Sequence, residues 1–267
     1  MEVSELEAKA KDLRKQVLEM CIRAKTGHVT SCFSCVEILT TLYYGGVLKK
    51  DDRFVLSKGQ ASPLLYVMLA DLHYFSKNRL EGFCQADDFF GVHLQHSVPG
   101  VETTAGSLGY GLGIAAGMAL AKKQSHEPGT IYTLLGDGEC YEGSIWEAML
   151  FISHNDLNVV AIVDRNQMSA IDFTEHALKL EPFGDKWQAA GWEVRGIGGH
   201  SFPKLLSVFD NRTSSGPLMV LANTIKGKGI RFMENQILWH GRAPVTKEEI
   251  TQARGELEGI YKKKELV

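Results

Sequence analysis

Long apolar runs are absent from this sequence, and no segment approaches the roughly 20 consecutive residues that a membrane-spanning helix needs. The first residues, MEVSELEAKAKDLRKQ, carry too many charges for a secretory signal peptide. Cysteine is also scarce, and the five cysteines present are an odd number in a large chain, which indicates a reducing compartment. We therefore predict a cytoplasmic protein.

An excess of either charge is missing as well, because 29 basic residues stand against 32 acidic ones, for a net charge of −3. This balance gives no reason to expect nucleic acid or a membrane surface as a partner. Hydrophobic residues make up 44% of the chain and charged residues 23%, which is typical of a globular protein rather than a disordered one. A chain of 267 residues can bury one large core, and no Ser/Pro-rich linker divides it.

One pair of cysteines, Cys32 and Cys35, has the CxxC spacing found in zinc sites and redox dithiols. A closed zinc site needs four ligands, and the sequence has no second CxxC and no HxxxH. Ser34 with Glu37 resembles a capping box at the start of a helix, where small residues pack closely. We therefore favour structural packing over metal or redox chemistry for this pair.

The first part of the chain is predicted to be helical and then irregular. Helical periodicity, with glycine and proline as breakers, predicts helices over 5–24, 34–43 and 63–75. Segment 76–104 is rich in histidine, aspartate and aromatic residues and ends in Pro-Gly, which predicts a long surface excursion. Segments of this length in compact domains are usually functional.

From residue 106 onward, short apolar strands alternate with helices, a pattern that indicates a parallel sheet covered on both faces. The predicted fold class is α/β, with one doubly wound, mostly parallel sheet and helices on both faces, in a single domain over 1–267. A ligand of such a sheet lies beyond the carboxyl ends of its strands. The predicted elements are strands 131–136, 158–164, 192–197 and 217–225, and helices 106–123, 143–154, 183–190 and 201–209.

Two polar side chains follow directly after predicted strands. Asp137 lies within Gly136-Asp137-Gly138 after one strand, and Asn166 follows the next strand. Carboxylate and amide oxygens are ligands that Mg²⁺ prefers, with phosphate oxygens completing its octahedron. The two glycines let the backbone pass close to a diphosphate, and a following helix directs N–H groups toward that anion. A bare Asp-Gly turn is common, but the pairing with Asn166 favours a magnesium–diphosphate site.

The sequence around these residues resembles that of a known family. GDGECYEGSIWEA followed by IVDRNQ is similar to the thiamine diphosphate fingerprint, and EGSIWEA is similar to transketolases in particular. The resemblance covers nearly the whole chain and implies the diphosphate-binding domain of that family. The other matching blocks, in order, are TGHVTSCFSCVEIL, RFVLSKGQASPLLY, PGVETTAGSLGYGLG, EPFGDKW…GWEV and TIKGKGIRFMEN…WHG.

The resemblance implies a role for each matching residue. The metal ligands would be Asp137, Asn166 and the backbone carbonyl of Met168. His28 and His240 would handle substrate protons, since histidine titrates near neutrality. Glu142 and Glu147 occupy positions that lie at the dimer interface in the family. The residues implied to bind thiamine diphosphate are Ser31, Gln60, Gly106, Ser107, Leu108, Gly136, Asp137, Gly138, Asn166, Lys226 and His240.

The implied activity is transfer of a two-carbon ketol or acyl unit, with the cofactor supplying the chemistry. In the family, the glutamate that contacts the aminopyrimidine lies in a second, pyrimidine-binding domain, and no block of this sequence corresponds to it. The resemblance therefore implies a partner chain that carries this glutamate, as in split transketolases, and an α₂β₂ heterotetramer that is active only when assembled.

Two family histidines are missing from the pattern. Gln60 ends the Ser-Lys-Gly-His block, and Val92 stands where the Gly-His-Pro block places the histidine that contacts the donor ketose. Valine cannot form a hydrogen bond, which weakens discrimination for a donor hydroxyl. A deoxy-ketose, a pyruvate-like donor or a carrier-bound acceptor is then reasonable, unless His93 or His96 reaches the site from an altered loop.

Other function classes stay open at this point. A 2-oxo acid dehydrogenase α subunit shares the Gly-Asp-Gly and asparagine site but lacks the Ser-Lys-Gly and Trp-His-Gly blocks. A non-catalytic scaffold subunit is the alternative that is not an enzyme. A dinucleotide-binding dehydrogenase is disfavoured, because GSLGYGLG precedes the first clearly predicted strand rather than following one.

Overall fold

The computed structural model describes residues 1–86, 88–212 and 215–261 and contains one parallel sheet of five strands in the order β1-β2-β3-β5-β4. This confirms the predicted α/β class. The strands are β1 (Arg53–Leu56), β2 (Ile131–Gly136), β3 (Val159–Arg165), β4 (Glu193–Gly198) and β5 (Leu218–Asn223).

Helices cover both faces of the sheet, as predicted. They are α1 (Val3–Ala24), α2 (Val29–Ser34), α3 (Val36–Tyr44), α4 (Ser62–Asp71), α5 (Tyr110–Gln124), α6 (Gly143–His154), α7 (Thr174–Ala177), α8 (Phe183–Ala189), α9 (Phe202–Asp210) and α10 (Lys247–Glu258). Within the described ranges, no helix is long and apolar enough to cross a membrane.

Alternate residues of the central strands enter two separate cores. Leu134 and Ile162 pack with α1–α4, α9 and α10. Leu135 and Val163 pack on the opposite face with α5, α6 and α8. Because both faces are buried, β2 and β3 are continuous apolar runs rather than alternating ones. This is why their boundaries could be predicted closely from the sequence.

The register of the sheet brings the predicted site residues to one edge. Gly136 at the end of β2 pairs with Asp164 of β3, which in turn pairs with Ala222 of β5. Asp137, Asn166 and Lys226 follow these three strand ends within a few residues. The ligand position expected beyond the carboxyl ends of parallel strands is therefore built from three adjacent strands.

The first half of the chain differs from the predictions in three respects. The helix predicted over 34–43 is α3, which begins two residues later at Val36, and a separate short helix, α2, precedes it and ends at Ser34. Ser34 and Glu37 form no capping box, because the Ser34 hydroxyl donates to Asp164 and the Glu37 carboxylate pairs with the buried Arg14 guanidinium at 2.9 Å. Strand β1 was missed, because four residues followed by Ser-Lys-Gly carry too little periodicity. The presence of β1 does not create a dinucleotide-binding fingerprint, because α4 and the long segment after it separate β1 from loop 106–109.

The cysteine pair is packed in the core. Cys32 and Cys35 are fully buried, and their thiols donate to backbone carbonyls of Gln60, Ser31 and Cys32. Burial raises the pKa of both thiols well above the usual value, which disfavours the reactive thiolate. These contacts support the packing interpretation.

Candidate cofactor site

A cavity of about 270 Å³ opens at the carboxyl edge of the sheet, between the ends of β1, β2, β3 and β5. Ten of the thirteen residues predicted for the site line it, and the other three, His28, Gly106 and Ser107, lie outside the lining. The ten lining residues are Ser31, Gln60, Leu108, Gly136, Asp137, Gly138, Asn166, Met168, Lys226 and His240.

The Asp137 carboxylate is held from several sides. Oδ1 accepts a hydrogen bond from the Gly138 amide at 2.8 Å, and Oδ2 accepts from the Gln167 amide and from the Arg165 guanidinium at 3.2 Å. Burial and the nearby Asp164 carboxylate raise the pKa of Asp137. A divalent cation would offset that carboxylate repulsion. The site therefore favours cation binding.

Asn166 and Met168 present oxygens beside Asp137. The Asn166 side-chain oxygen accepts from the Met168 amide at 3.1 Å, in a turn where Gln167 adopts φ 63°. No group of three His, Cys, Asp or Glu side chains suited to a metal occurs in the described part of the chain. A Mg²⁺ ion here would use one carboxylate, one amide and one carbonyl oxygen, leaving coordination positions for phosphate or water. These donors fit Mg²⁺ bound to a diphosphate.

Two buried lysines face the same cavity. Lys58 donates to the Ser31 carbonyl at 2.9 Å and to the Ser34 hydroxyl at 3.0 Å, and it forms an ion pair with Asp164. Burial alone would lower the pKa of Lys58, but the Asp164 charge raises it. Lys58 was not predicted as a site residue, although it lies in the Ser-Lys-Gly block that carried the resemblance.

Lys226 is a buried cation without a counterion among the described residues. It is 3% exposed, and its hydrogen-bond acceptors are uncharged: the Met168 and Ser169 carbonyls at 3.4 Å and His240 Nδ1 at 2.8 Å. Burial, and then repulsion from Lys58, lower the pKa of Lys226 to about 8. A bound anion would supply the missing charge, so the donor set fits a diphosphate.

Three imidazoles cluster beside the cavity. The His28 ring centroid lies 5.5 Å from that of His240 and 5.5 Å from that of His93. Burial, reinforced by neighbouring rings and lysines, lowers the pKa of His28 to about 4 and that of His240 to about 3. Both rings are therefore neutral near pH 7. The buried Nδ1 atoms of His28 and His93 have no hydrogen-bond partner within the described residues.

His93 supplies an imidazole where the sequence pattern places Val92. A Cβ on Gly59 would lie 3.3 Å from His93 Nδ1, and one on Gly106 would lie 3.4 Å from its Cβ and Cγ. The ring is thus packed against two glycines, one next to Gln60 and one next to Ser107. Of the two alternatives, His93 lies beside His28, whereas His96 is exposed and contacts Thr104. Val92 is followed directly by this imidazole, so the loop carries a polar ring one position after the valine.

The chain matches known proteins over nearly its whole length. The model of the transketolase thiamine diphosphate binding domain matches residues 7–265. The chain belongs to the transketolase family. Among its relatives, the 6-deoxy-6-sulfo-D-fructose transketolase subunit SqwG of Clostridium sp. (strain MSTE9) is 38% identical, covering 95% of this chain and 96% of that protein. One subunit of the apulose-4-phosphate transketolase of Phocaeicola vulgatus is 34% identical, covering 98% of this chain and 97% of that protein.

Solved transketolase structures have the same fold. The Campylobacter jejuni transketolase superposes with a TM-score of 0.88 at 30% identity, over 97% of this chain but only 43% of that one. The human transketolase is 34% identical, and the match likewise covers only 40% of its length. This transketolase-family chain therefore corresponds to less than half of those longer proteins and to nearly all of the two relatives described as subunits.

Proposed function

We propose that this chain is the cofactor-binding subunit of a transketolase-like transferase, which moves a two-carbon ketol or acyl unit from a ketose-type donor to an acceptor. The observation that carries the proposal is the buried Lys226, which has no counterion among the described residues and lines one cavity with Asp137 and Asn166. Cation ligands and an unpaired cation on adjoining walls match a Mg²⁺–diphosphate group. Thiamine diphosphate, when bound, supplies a thiazolium carbon that stabilises a carbanion.

Different residues would bind different parts of the cofactor. Asp137, Asn166 and the Met168 carbonyl would hold Mg²⁺, while Lys226, the Gly138 amide, Ser31 and Gln60 would hold the phosphates. Gln60 keeps hydrogen-bonding capacity although it replaces a histidine. Gly106, Ser107 and Leu108 would lie beside the rings. Lys58 would add positive charge beneath the diphosphate while its pairing with Asp164 keeps it in place.

His28 and His240 would act on the substrate as neutral imidazoles. A neutral ring has one N–H donor and one acceptor, so each can hold a substrate oxygen and pass a proton without first losing one. His93, packed beside His28, would bind an oxygen of the donor. A ketose donor is therefore favoured over a donor without a hydroxymethyl group, and both relatives described as subunits are named for sugar substrates.

We further propose a partner chain that carries the pyrimidine-binding domain and the catalytic glutamate, in a heterotetramer. An apolar face on α5 and α6 supports this, because Tyr110 is 61% exposed and Leu150 57% exposed on neighbouring helices. Glu142 and Glu147 are exposed on the same side, as expected for interface positions. Large exposed apolar side chains on adjoining helices are consistent with a protein interface. Such an assembly is consistent with a cytoplasmic location, which stays a prediction.

Calorimetric titration tests the proposal. The chain, alone and mixed with its partner, is titrated with thiamine diphosphate in the presence and absence of Mg²⁺. We expect saturable binding that requires Mg²⁺ and tightens when the partner is present. Absence of saturable binding in both samples would contradict the proposed function and favour a non-catalytic scaffold. By contrast, the α subunit of a 2-oxo acid dehydrogenase would turn over 2-oxo acids and not ketose phosphates.

A further inference from the structure

Glu139 is one of the residues that line the cavity, and its carboxylate joins three separate segments of the chain. It is 3% exposed and accepts hydrogen bonds from the Gly109 amide at 3.0 Å, the Gly136 amide at 3.1 Å and the Ser57 hydroxyl. No ion pair neutralises it within the described residues, so these three donors, helped by the nearby Lys58 charge, stabilise the buried carboxylate.

Each donor belongs to a different wall of the cofactor cavity. Ser57 follows β1 and immediately precedes Lys58, and Gly136 ends β2 immediately before Asp137. Gly109 ends loop 106–109 and precedes α5. A single side chain thus fixes the relative positions of the lysine, the proposed metal ligand and the loop expected beside the cofactor rings.

Loop 106–109 depends on this contact more than the other two segments do. No hydrogen bond links residues 106–108 to another segment of the described chain, so the loop is held at its two ends. At one end the Ala105 amide donates to the Leu94 carbonyl at 3.1 Å, and at the other the Gly109 amide donates to Glu139. Gly109 has φ 89°, and a Cβ there would come within 2.6 Å of Glu142 and Ser144. The backbone at Gly109 therefore has one tightly packed conformation.

We propose that Glu139 is a positioning residue that holds loop 106–109 against the ends of β1 and β2, so that the loop is ordered before the cofactor binds. Its effect on the cofactor rests on the proposed function, but its effect on the loop does not. A loop ordered in advance lowers the entropic cost of binding, and loss of the anchor transfers that cost to the ligand.

Amide hydrogen exchange of the chain without cofactor, followed by NMR, tests the anchor directly. In Glu139→Gln the side chain keeps its volume, but its NH₂ group opposes at least one donor, and any bond that Gly109 keeps is made to a neutral rather than a charged acceptor and is weaker. We expect the Gly109 amide to exchange at least 10-fold faster, while α6 amides keep their protection. The dissociation constant for thiamine diphosphate with Mg²⁺ should rise at least 10-fold. Glu127→Gln, on the surface, should change neither quantity.

Ser57→Ala is the second variant, because it removes one donor and leaves the carboxylate in place. It should accelerate exchange at Gly109 in the same direction but less, even if Glu139→Gln fails to fold. Unchanged Gly109 exchange in either folded variant, or acceleration spread evenly over the whole chain in Ser57→Ala, would overturn the proposal. Failure of the unsubstituted chain to bind thiamine diphosphate would contradict the proposed function and leave the anchor to be judged on the exchange data.

Discussion

Lys226 Nζ lies 2.8 Å from Nδ1 of His240, so the unpaired cation of the cavity is joined to one of its imidazoles. A charged lysine has only donors, and Nδ1 must therefore accept, which leaves the ring proton on Nε2. The lowered pKa of His240, about 3, keeps the ring neutral. One lysine thus presents charge to an anion and sets the tautomer of the neighbouring histidine.

Replacing Lys226 by methionine should weaken cofactor binding. A charge-assisted hydrogen bond contributes about 1.5–3 kcal/mol, so the dissociation constant for thiamine diphosphate should rise at least 10-fold in calorimetry. The matched control is Lys228→Met, since Lys228 lies two positions away and pairs with Glu234 outside the cavity at 3.8 Å. Equal weakening in both variants would show that overall charge, rather than Lys226, controls binding.

Substitution of Asp137 by asparagine should abolish the Mg²⁺ dependence of binding. The amide is almost the same size but neutral, and its NH₂ group would face the Gly138 or Gln167 amide, both of which donate to Asp137. We expect Mn²⁺ affinity in the presence of thiamine diphosphate, measured by electron paramagnetic resonance, to fall at least 100-fold. Asp156→Asn, in the exposed turn after α6, should leave it unchanged. Retained Mn²⁺ affinity in Asp137→Asn would exclude Asp137 as a ligand.

Most of the fold could be predicted because its signals are local. The buried strands β2, β3 and β5 are continuous apolar runs, and periodicity defined α1 and α6 within two residues. The role of Ser34 could not be predicted, since it depends on a contact with Asp164, which lies 130 residues away in sequence.

In the candidate site, too, the residues with local sequence signals could be predicted and those that depend on distant contacts could not. Residues inside recognisable blocks, such as Asp137 and Lys226, were identified and do line one cavity. Glu139 was quoted within a block but given no role, because its three partners come from three segments that meet only in the folded chain. The path of loop 88–105 decides whether Val92 or His93 faces His28, and residue spacing alone cannot determine that path.

If a partner chain covers the exposed face of α5 and α6, a charged side chain placed on that face should disrupt the complex. Leu150→Arg places a cation at a position 57% exposed in the isolated chain, so the chain itself should fold normally. We expect analytical ultracentrifugation to show loss of the complex with the partner chain. Lys204→Glu, on α9 across the sheet, changes the net charge by more than Leu150→Arg does but should leave the complex intact. A complex that survives Leu150→Arg would place the interface elsewhere.

His28 should make the free energy of unfolding depend on pH. Its pKa is about 4 when folded, against an ordinary value of 6.5, so the unfolded chain binds a proton more readily between these values. The free energy of unfolding should therefore fall as pH is lowered from 6.5 toward 4, with His28 contributing on the order of 1 kcal/mol by pH 5. In His28→Asn, urea titrations should show a smaller decrease in the free energy of unfolding between pH 7 and pH 5. The exposed control His126→Asn should keep the decrease of the unsubstituted chain.

His93 should determine how well the assembled enzyme uses a ketose donor. With the partner chain present, His93→Asn should lower kcat/KM for xylulose 5-phosphate about 10- to 100-fold, the range expected for a lost polar contact to a hydroxyl. Donors without the hydroxymethyl group should be affected less, and the dissociation constant for thiamine diphosphate should stay within about 2-fold. The control is His96→Asn, since His96 lies in the same loop, three residues after His93, and is exposed. Normal turnover of the ketose phosphate by both variants would show that His93 does not supply the contact. A preference of the unsubstituted enzyme for the donor without the hydroxymethyl group would lead to the same conclusion, and Val92 would then explain the specificity.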